Sequence, residues 1–194
     1  MTAGLALAAH GSGAVPPPVI QNGADCERPS YASDRVVCGD AALLELDRQV
    51  RDAWMAIAAA QPAIDLPPLL ESQQAWFSRR SRCAFVEAHA ACLQATYLDR
   101  AGVLDAWQRA ASGALASPGT RMRCTNAPWG DVSVNVHPPG ANALVITSLA
   151  GRALAIASPG TGQDGWLPFV RLDGSARQIR FRPLSGTAIT CSPD

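Results

Sequence analysis

Residues 72–100, SQQAWFSRRSRCAFVEAHAACLQATYLDR, have the texture of one long amphipathic helix, yet Cys83 and Cys92 stand nine positions apart within them. On an unbroken α-helix that spacing turns the chain half a revolution off register and separates the Cα atoms by roughly 13.5 Å. A disulfide requires a Cα separation below about 7 Å. Either the thiols stay free, or each pairs with a distant cysteine, or the chain breaks near VEAHA and folds back so that the two clasp a helical corner.

The rest of the chain bears on the choice. Its six cysteines, Cys26, Cys38, Cys83, Cys92, Cys124 and Cys191, fall as two close pairs and one wide pair, with no CxxC and no histidine at zinc spacing. An even count in a chain of 194 residues favours three disulfides and an oxidising compartment over buried thiols in a reducing one. The expected scheme is local: Cys26 with Cys38, Cys83 with Cys92 around a helical corner, and Cys124 with Cys191. Four cysteines in one half still allow three connectivities.

All sixteen basic residues are arginine, sixteen acids balance them, and the formal charge is zero. That removes the basic stripe on which phosphate recognition depends, so nucleic acid is not an expected partner. No apolar run approaches the roughly 20 residues of a membrane span. The stretch 1–25 reads as a leader or the remnant of a signal peptide, apolar from Ala3 to Ala9 and then rich in small, turn-forming residues.

From Asp40, DAALLELDRQVRDAWMAIAAAQ sets Leu43, Leu46, Val50, Trp54 and Ile57 on one helical face, with Asp40 as the N-cap and Pro62 beyond the end. Pro67 and Pro68 open a second helix, on which Leu69/Leu70, Trp76/Phe77 and Cys83/Ala84 recur every seven residues. A third runs from about Ala91 through Leu93, Tyr97, Leu104 and Trp107. The tryptophans and Tyr97 lie on the apolar stripes and are expected in the core.

After Pro118 the texture changes to short alternating runs: DVSVNV, ALVITSL, RALAIAS, WLPFVRL, RQIRFRPL and TAITC, separated by turn chemistry. Val132, Val134 and Val136 should share a face, and Cys124 should lie just before the first strand. The chain is therefore read as α+β. A disulfide-stapled helical bundle (26–110) and a linker (111–121) precede a small antiparallel β-barrel or sandwich (122–194). A bridge between Cys124 and Cys191 would tie the ends of the β-region and contribute roughly 4 kcal/mol in the chain-entropy model.

Motifs for chemistry are scarce. GTGQDG, Gly160 to Gly165, has the glycine spacing of a dinucleotide loop, but strand-like WLPFVRL follows it where a helix is required. His10, His89 and His137 have no partner at ligand spacing, and neither GxSxG nor HExxH occurs. Asp131, Asp164 and Asp173 fall at turns and strand edges, where aspartate is ordinary. No enzyme, cofactor or metal is expected.

Four separated blocks carry a resemblance: DC at 25–26, VCGDAALLELDRQVRDAW at 37–54, LLESQQAWFSRRSRC at 69–83 and CLQATYLDRAGVL at 92–104. In that order they resemble the N-terminal domain of the LprI-type lysozyme inhibitors, whose pattern is VCxDxxLxxLD, SQRAWxxxRDxC and CLxxxYxxR. Gln74 stands where the family has arginine, and Ser81 where it has aspartate. The β-region is similar to the MliC-type inhibitor domain, a small barrel with a terminal disulfide and an SGSG-like loop that enters the lysozyme cleft. The resemblance implies a periplasmic or secreted inhibitor of c-type lysozyme. It assigns the inserting loop to Ser158, Gly160, Thr161, Gly162 and Trp166, with Arg171 or Arg177 standing in for the family's lysine.

A lysozyme cleft holds two carboxylates, which a narrow turn bearing hydroxyls, amide N–H groups and an arginine can meet by hydrogen bonding. Charge points the other way. Residues 26–110 hold eleven acids and nine arginines, a net of −2, whereas 122–194 hold four acids and six arginines, a net of +2. Steering toward a basic lysozyme favours the helical half as the docking face. The alternative reading is an envelope protein-binding or assembly module without action on lysozyme.

Overall fold

A computed structural model describes residues 22–60, 73–115, 118–140, 143–151, 153–157, 170–172, 178–181 and 187–194. The helices come first: α1 (Ala32–Cys38), α2 (Ala41–Ala60), α3 (Gln73–Ser81) and α4 (His89–Ala111). Seven strands follow: β1 (Thr120–Thr125), β2 (Ser133–Gly140), β3 (Ala143–Ser148), β4 (Ala153–Ala157), β5 (Val170–Leu172), β6 (Ile179–Phe181) and β7 (Ile189–Pro193). The α+β order holds, and all six cysteines are bridged in the local scheme.

The opening question is answered by a break. α3 stops at Ser81, a 3-10 turn covers Arg82–Phe85, and Val86 is extended, with φ −106° and ψ 154°. α4 then starts at His89, so Cys83 and Cys92 meet with their Cα atoms 5.5 Å apart.

α2 starts where Asp40 Oδ1 accepts from the backbone N–H groups of Ala42 (2.8 Å) and Leu43 (3.1 Å), satisfying two donors of the first turn. Leu43, Val50 and Ile57 are buried along its stripe, Leu46 and Trp54 pack at its margin, and Asp47 lies buried within it. α1 was not foreseen. It is seven residues long, and the Tyr31 N–H donates to Asp34 Oδ2 at 3.3 Å across its first turn. α4 is the central helix: Leu93, Tyr97, Val103, Leu104 and Trp107 are buried at helical spacing, and it packs against each of the other helices. Burying a leucine as completely as Leu93 or Leu104 contributes about 1.5–3 kcal/mol.

The strands form one antiparallel sheet in the order β4-β3-β2-β1-β7-β6-β5, curled into a half-barrel. Two expectations need correction. Cys124 is not before the first strand but inside it. β1 was missed because its run TRMRCT alternates exposed arginine with buried Met122 and Cys124, and only two inward residues mark it as a strand. β1 nonetheless sits mid-sheet, between β2 and β7. Val132 does not share the face of Val134 and Val136, because β2 begins at Ser133. The Asp131 carboxylate accepts from the Asn126 N–H at 3.1 Å in the preceding turn, and Val132 is left exposed.

Strand periodicity divides the buried residues between two faces. Leu144 and Ile146 pack with Met122, Cys124, Val134, Val136, Ala155, Ile179, Ile189 and Cys191. Ala143 and Val145, the alternate residues of β3, join Ile156 of β4 in the same apolar cluster as the helices. α4 packs directly on β3 and β4. The stretch read as a linker therefore connects two halves that share a core, and β1 begins inside it at Thr120.

Candidate functional site

The residues on which the family resemblance rests converge from three helices into the interior. Arg80, from α3, is fully buried. Its Nη1 donates to Asp34 Oδ1 at 3.0 Å, its Nε donates to the Tyr97 hydroxyl at 2.6 Å, and Nη2 stands 3.9 Å from Asp47 Oδ1. The Tyr97 hydroxyl in turn donates to Asp47 Oδ1 at 2.6 Å. The guanidinium lies 4.6 Å from the Phe77 ring centroid and 5.5 Å from that of Tyr97, a placement in which a delocalised cation is attracted to aromatic faces.

A second buried arginine follows the same plan. Arg100 donates through Nε and Nη2 to Gln73 Oε1, at 3.0 and 2.8 Å, and lies 5.6 Å from the Trp76 ring. Trp76 Nε1 donates to the Thr96 carbonyl at 3.2 Å. Burial pushes the pKa of the Tyr97 hydroxyl well above its ordinary value, and the nearby Asp47 charge adds to this while Arg80 opposes it. At neutral pH Tyr97 is a proton donor held by two ionic neighbours. This cluster is sealed from solvent, so it orders the helical half and offers nothing to a macromolecular partner.

Contact must come from elsewhere. On α2, Arg48 bridges Glu45 (2.6 Å) and Asp52 (3.2 Å), and its hydrogen bond, with that of Gln49, holds the Glu45 carboxyl down to about 2. The side chains lie at the surface, and such pairs add little to stability. Of the exposed large apolar residues, Tyr31 is turned edge-on to Phe77 at 5.5 Å. Phe85 is 86% exposed, and it sits in the 3-10 turn of the corner closed by Cys83–Cys92. An aromatic ring presented on a backbone already fixed loses little entropy on association, and such rings dominate protein interfaces.

The sequence reading placed FVEAHAA at a corner without noticing that its phenylalanine faces solvent. The signal was present: the seven-residue recurrence of Trp76/Phe77 and Cys83/Ala84 leaves Phe85 one position off the apolar stripe.

The sequence-assigned loop stands differently. Ser158, Gly160, Thr161, Gly162, Trp166 and Arg177 lie outside the described residues, and Arg171 is placed by its backbone in β5, opposite Arg180 of β6. Asp164 and Asp173 also lie outside them. Among the described residues no group of three or more His, Cys, Asp or Glu side chains is placed to hold a metal ion, and no helix is long and apolar enough to cross a membrane. Three closed disulfides mark a chain that matures outside the reducing cytosol. Comparison with protein-family models, with curated proteins and with solved structures finds no match.

Proposed function

We propose that the protein is a periplasmic or secreted inhibitor of a c-type lysozyme, a binding protein that acts without chemistry of its own. The observation that carries this reading is the convergence of Asp47, Gln73, Trp76, Arg80, Tyr97 and Arg100 in one interior cluster. These are the residues on which the likeness to LprI-type inhibitors rests. Three of the four blocks, 37–54, 69–83 and 92–104, contribute to this cluster, and that shared packing supports the reading. The inhibitory turn is assigned on sequence alone to Ser158, Gly160, Thr161, Gly162 and Trp166, with Arg171 or Arg177 beside it.

The test is a titration of the purified protein against a c-type lysozyme in a cell-wall turbidity assay. The parent should inhibit. Ser158→Ala combined with Thr161→Ala removes two hydrogen bonds to charged cleft groups, each worth about 1.5–3 kcal/mol, so inhibition should weaken at least about tenfold. If the double variant inhibits as the parent does, and Phe85→Ala weakens inhibition instead, the inhibitory face is the helical corner. A parent that leaves every c-type lysozyme active discards the reading. The exposed Phe85 corner then favours the second one, an envelope protein-binding module.

A further inference from the structure

We propose that the Cys26–Cys38 bridge is a thiol–disulfide exchange site, and that its opening by a dithiol releases the segment Asn22–Tyr31 from the buried carboxylates of Asp47 and Asp34. The proposal concerns the helical half alone and does not depend on what the protein binds.

The three bridges differ in access. Cys26 is the one exposed cysteine of the six, and its partner Cys38 is half-buried. In the second bridge Cys92 is half-buried and Cys83 is 2% exposed, and in the third Cys124 and Cys191 are fully buried, so only the first presents an exposed sulfur-bearing residue. An attacking thiolate must approach a sulfur along the S–S axis, so access decides which bridge exchanges first. Cys26 also sits on a surface turn, where Asp25 Oδ1 accepts from the N–H groups of Glu27 (3.1 Å) and Arg28 (2.9 Å).

What this bridge holds sets it apart from the other two. Two residues before it, the Ala24 N–H donates to both oxygens of Asp47, at 3.0 and 3.1 Å. The neighbouring backbone lies so close that a Cβ on Gly23 would stand 2.8 Å from Asp47 Oδ2. Five residues after it, the Tyr31 N–H donates to Asp34 Oδ2. The segment therefore touches both carboxylates that flank Arg80 and Tyr97, and the bridge pins it between them. The fold thus extends before Cys26, into the stretch expected to be leader.

The exchange balances as follows. A thiolate of the dithiol attacks Cys26 Sγ, the Cys26–Cys38 bond breaks, and the electron pair leaves on Cys38 Sγ, which takes up a proton. The second thiolate of the dithiol then attacks its own sulfur in the mixed disulfide. Cys26 is released as a thiol after protonation, and the dithiol is oxidised to a cyclic disulfide. Two electrons enter the protein, and oxidation reverses each step.

The experiment is a graded titration of the full chain with dithiothreitol under native conditions. Free thiols are trapped by alkylation and mapped by peptide, and amide hydrogen exchange is read on the same samples. Cys26 and Cys38 should become alkylated at reductant concentrations that leave the other four cysteines bridged. The peptide containing Gly23 and Ala24 should then exchange at least tenfold faster while the amides of β1 and β7 keep their protection. Cys26→Ser with Cys38→Ser should reproduce the faster exchange without reductant. Opening of Cys83–Cys92 or Cys124–Cys191 at or before the same concentration overturns the proposal. So does unchanged exchange at Ala24 once Cys26 is alkylated, or loss of the whole far-UV circular dichroism signal in step with that alkylation.

Discussion

The two halves are built around opposite kinds of interior. Inside the helices, Asp34, Asp47, Arg80, Arg100 and Gln73 are buried among Trp76, Tyr97 and Leu93. On the other face of the sheet the buried residues among those described are Met122, Val134, Val136, Leu144, Ile146, Ala155, Ile179, Ile189 and one disulfide, with no charged side chain among them. A sheet fixes its partners through a ladder of backbone hydrogen bonds, so its side chains need only fit. Helices satisfy their backbone internally, and the packing of apolar ridges into grooves leaves more than one crossing angle open. Here side chains supply that specification: Arg80 reaches α1 and α2 across sequence separations of 46 to Asp34 and 33 to Asp47.

The contrast can be broken most sharply at Arg80. Arg80→Ala leaves Asp34 and Asp47 buried without their cation, and loss of one partner of a buried pair costs about 3–5 kcal/mol. Equilibrium denaturation with the bridges intact should show that loss, and a change below about 1 kcal/mol would mean the charges are not what orders the helices. Tyr97→Phe is next. It removes bonds to two charged groups and should cost about 1.5–3 kcal/mol.

The same variant carries a pH signature. The Tyr97 hydroxyl titrates higher in the folded state than in the unfolded chain, where it ionises at about 10. Its contribution is therefore complete below that pH and is lost as the pH rises above it, because only the unfolded chain gives up the proton readily. The alkaline fall in stability should be shallower in Tyr97→Phe. In the apolar interior the smallest effect is expected: Ile146→Val removes one methylene from a fully buried site and should cost about 0.5–1.5 kcal/mol, with no added pH dependence.

Legibility followed the same division. α2 could be read because Asp40 caps it and its apolar residues recur at helical spacing, and β2 to β4 because their alternation is carried by Val, Ile and Leu between turn residues. β1 escaped because its exposed positions are arginines in a stretch that otherwise reads as Gly/Ser/Pro connection. α1 escaped because seven residues hold too few turns to show a period. Nothing local distinguishes Arg80, fully buried, from its neighbour Arg79: the run RRSR reads as a solvated face, and only partners far away in sequence draw one arginine inward. Cysteine spacing indicated the bridges, but not that Cys26 alone is exposed. Of the inhibitory-turn residues assigned from sequence, only the backbone of Arg171 falls within the described part of the chain.

The Cys124–Cys191 bridge has a mechanical consequence. The two cysteines are directly opposed in the ladder between β1 and β7, near the end where β1 enters from the helices and β7 runs out to Asp194. Tension applied between the helical half and Asp194 unzips that ladder from its open end. It breaks the contacts of Asp194 with Arg121 and Ser133 and then the pairs Met122 with Pro193 and Arg123 with Ser192 before it reaches the covalent link. The link then takes the load, and the 66 residues between the two cysteines lie outside the covalent path of the force (a sequence separation of 67). Under tension the sheet yields about two residues of each strand and then holds.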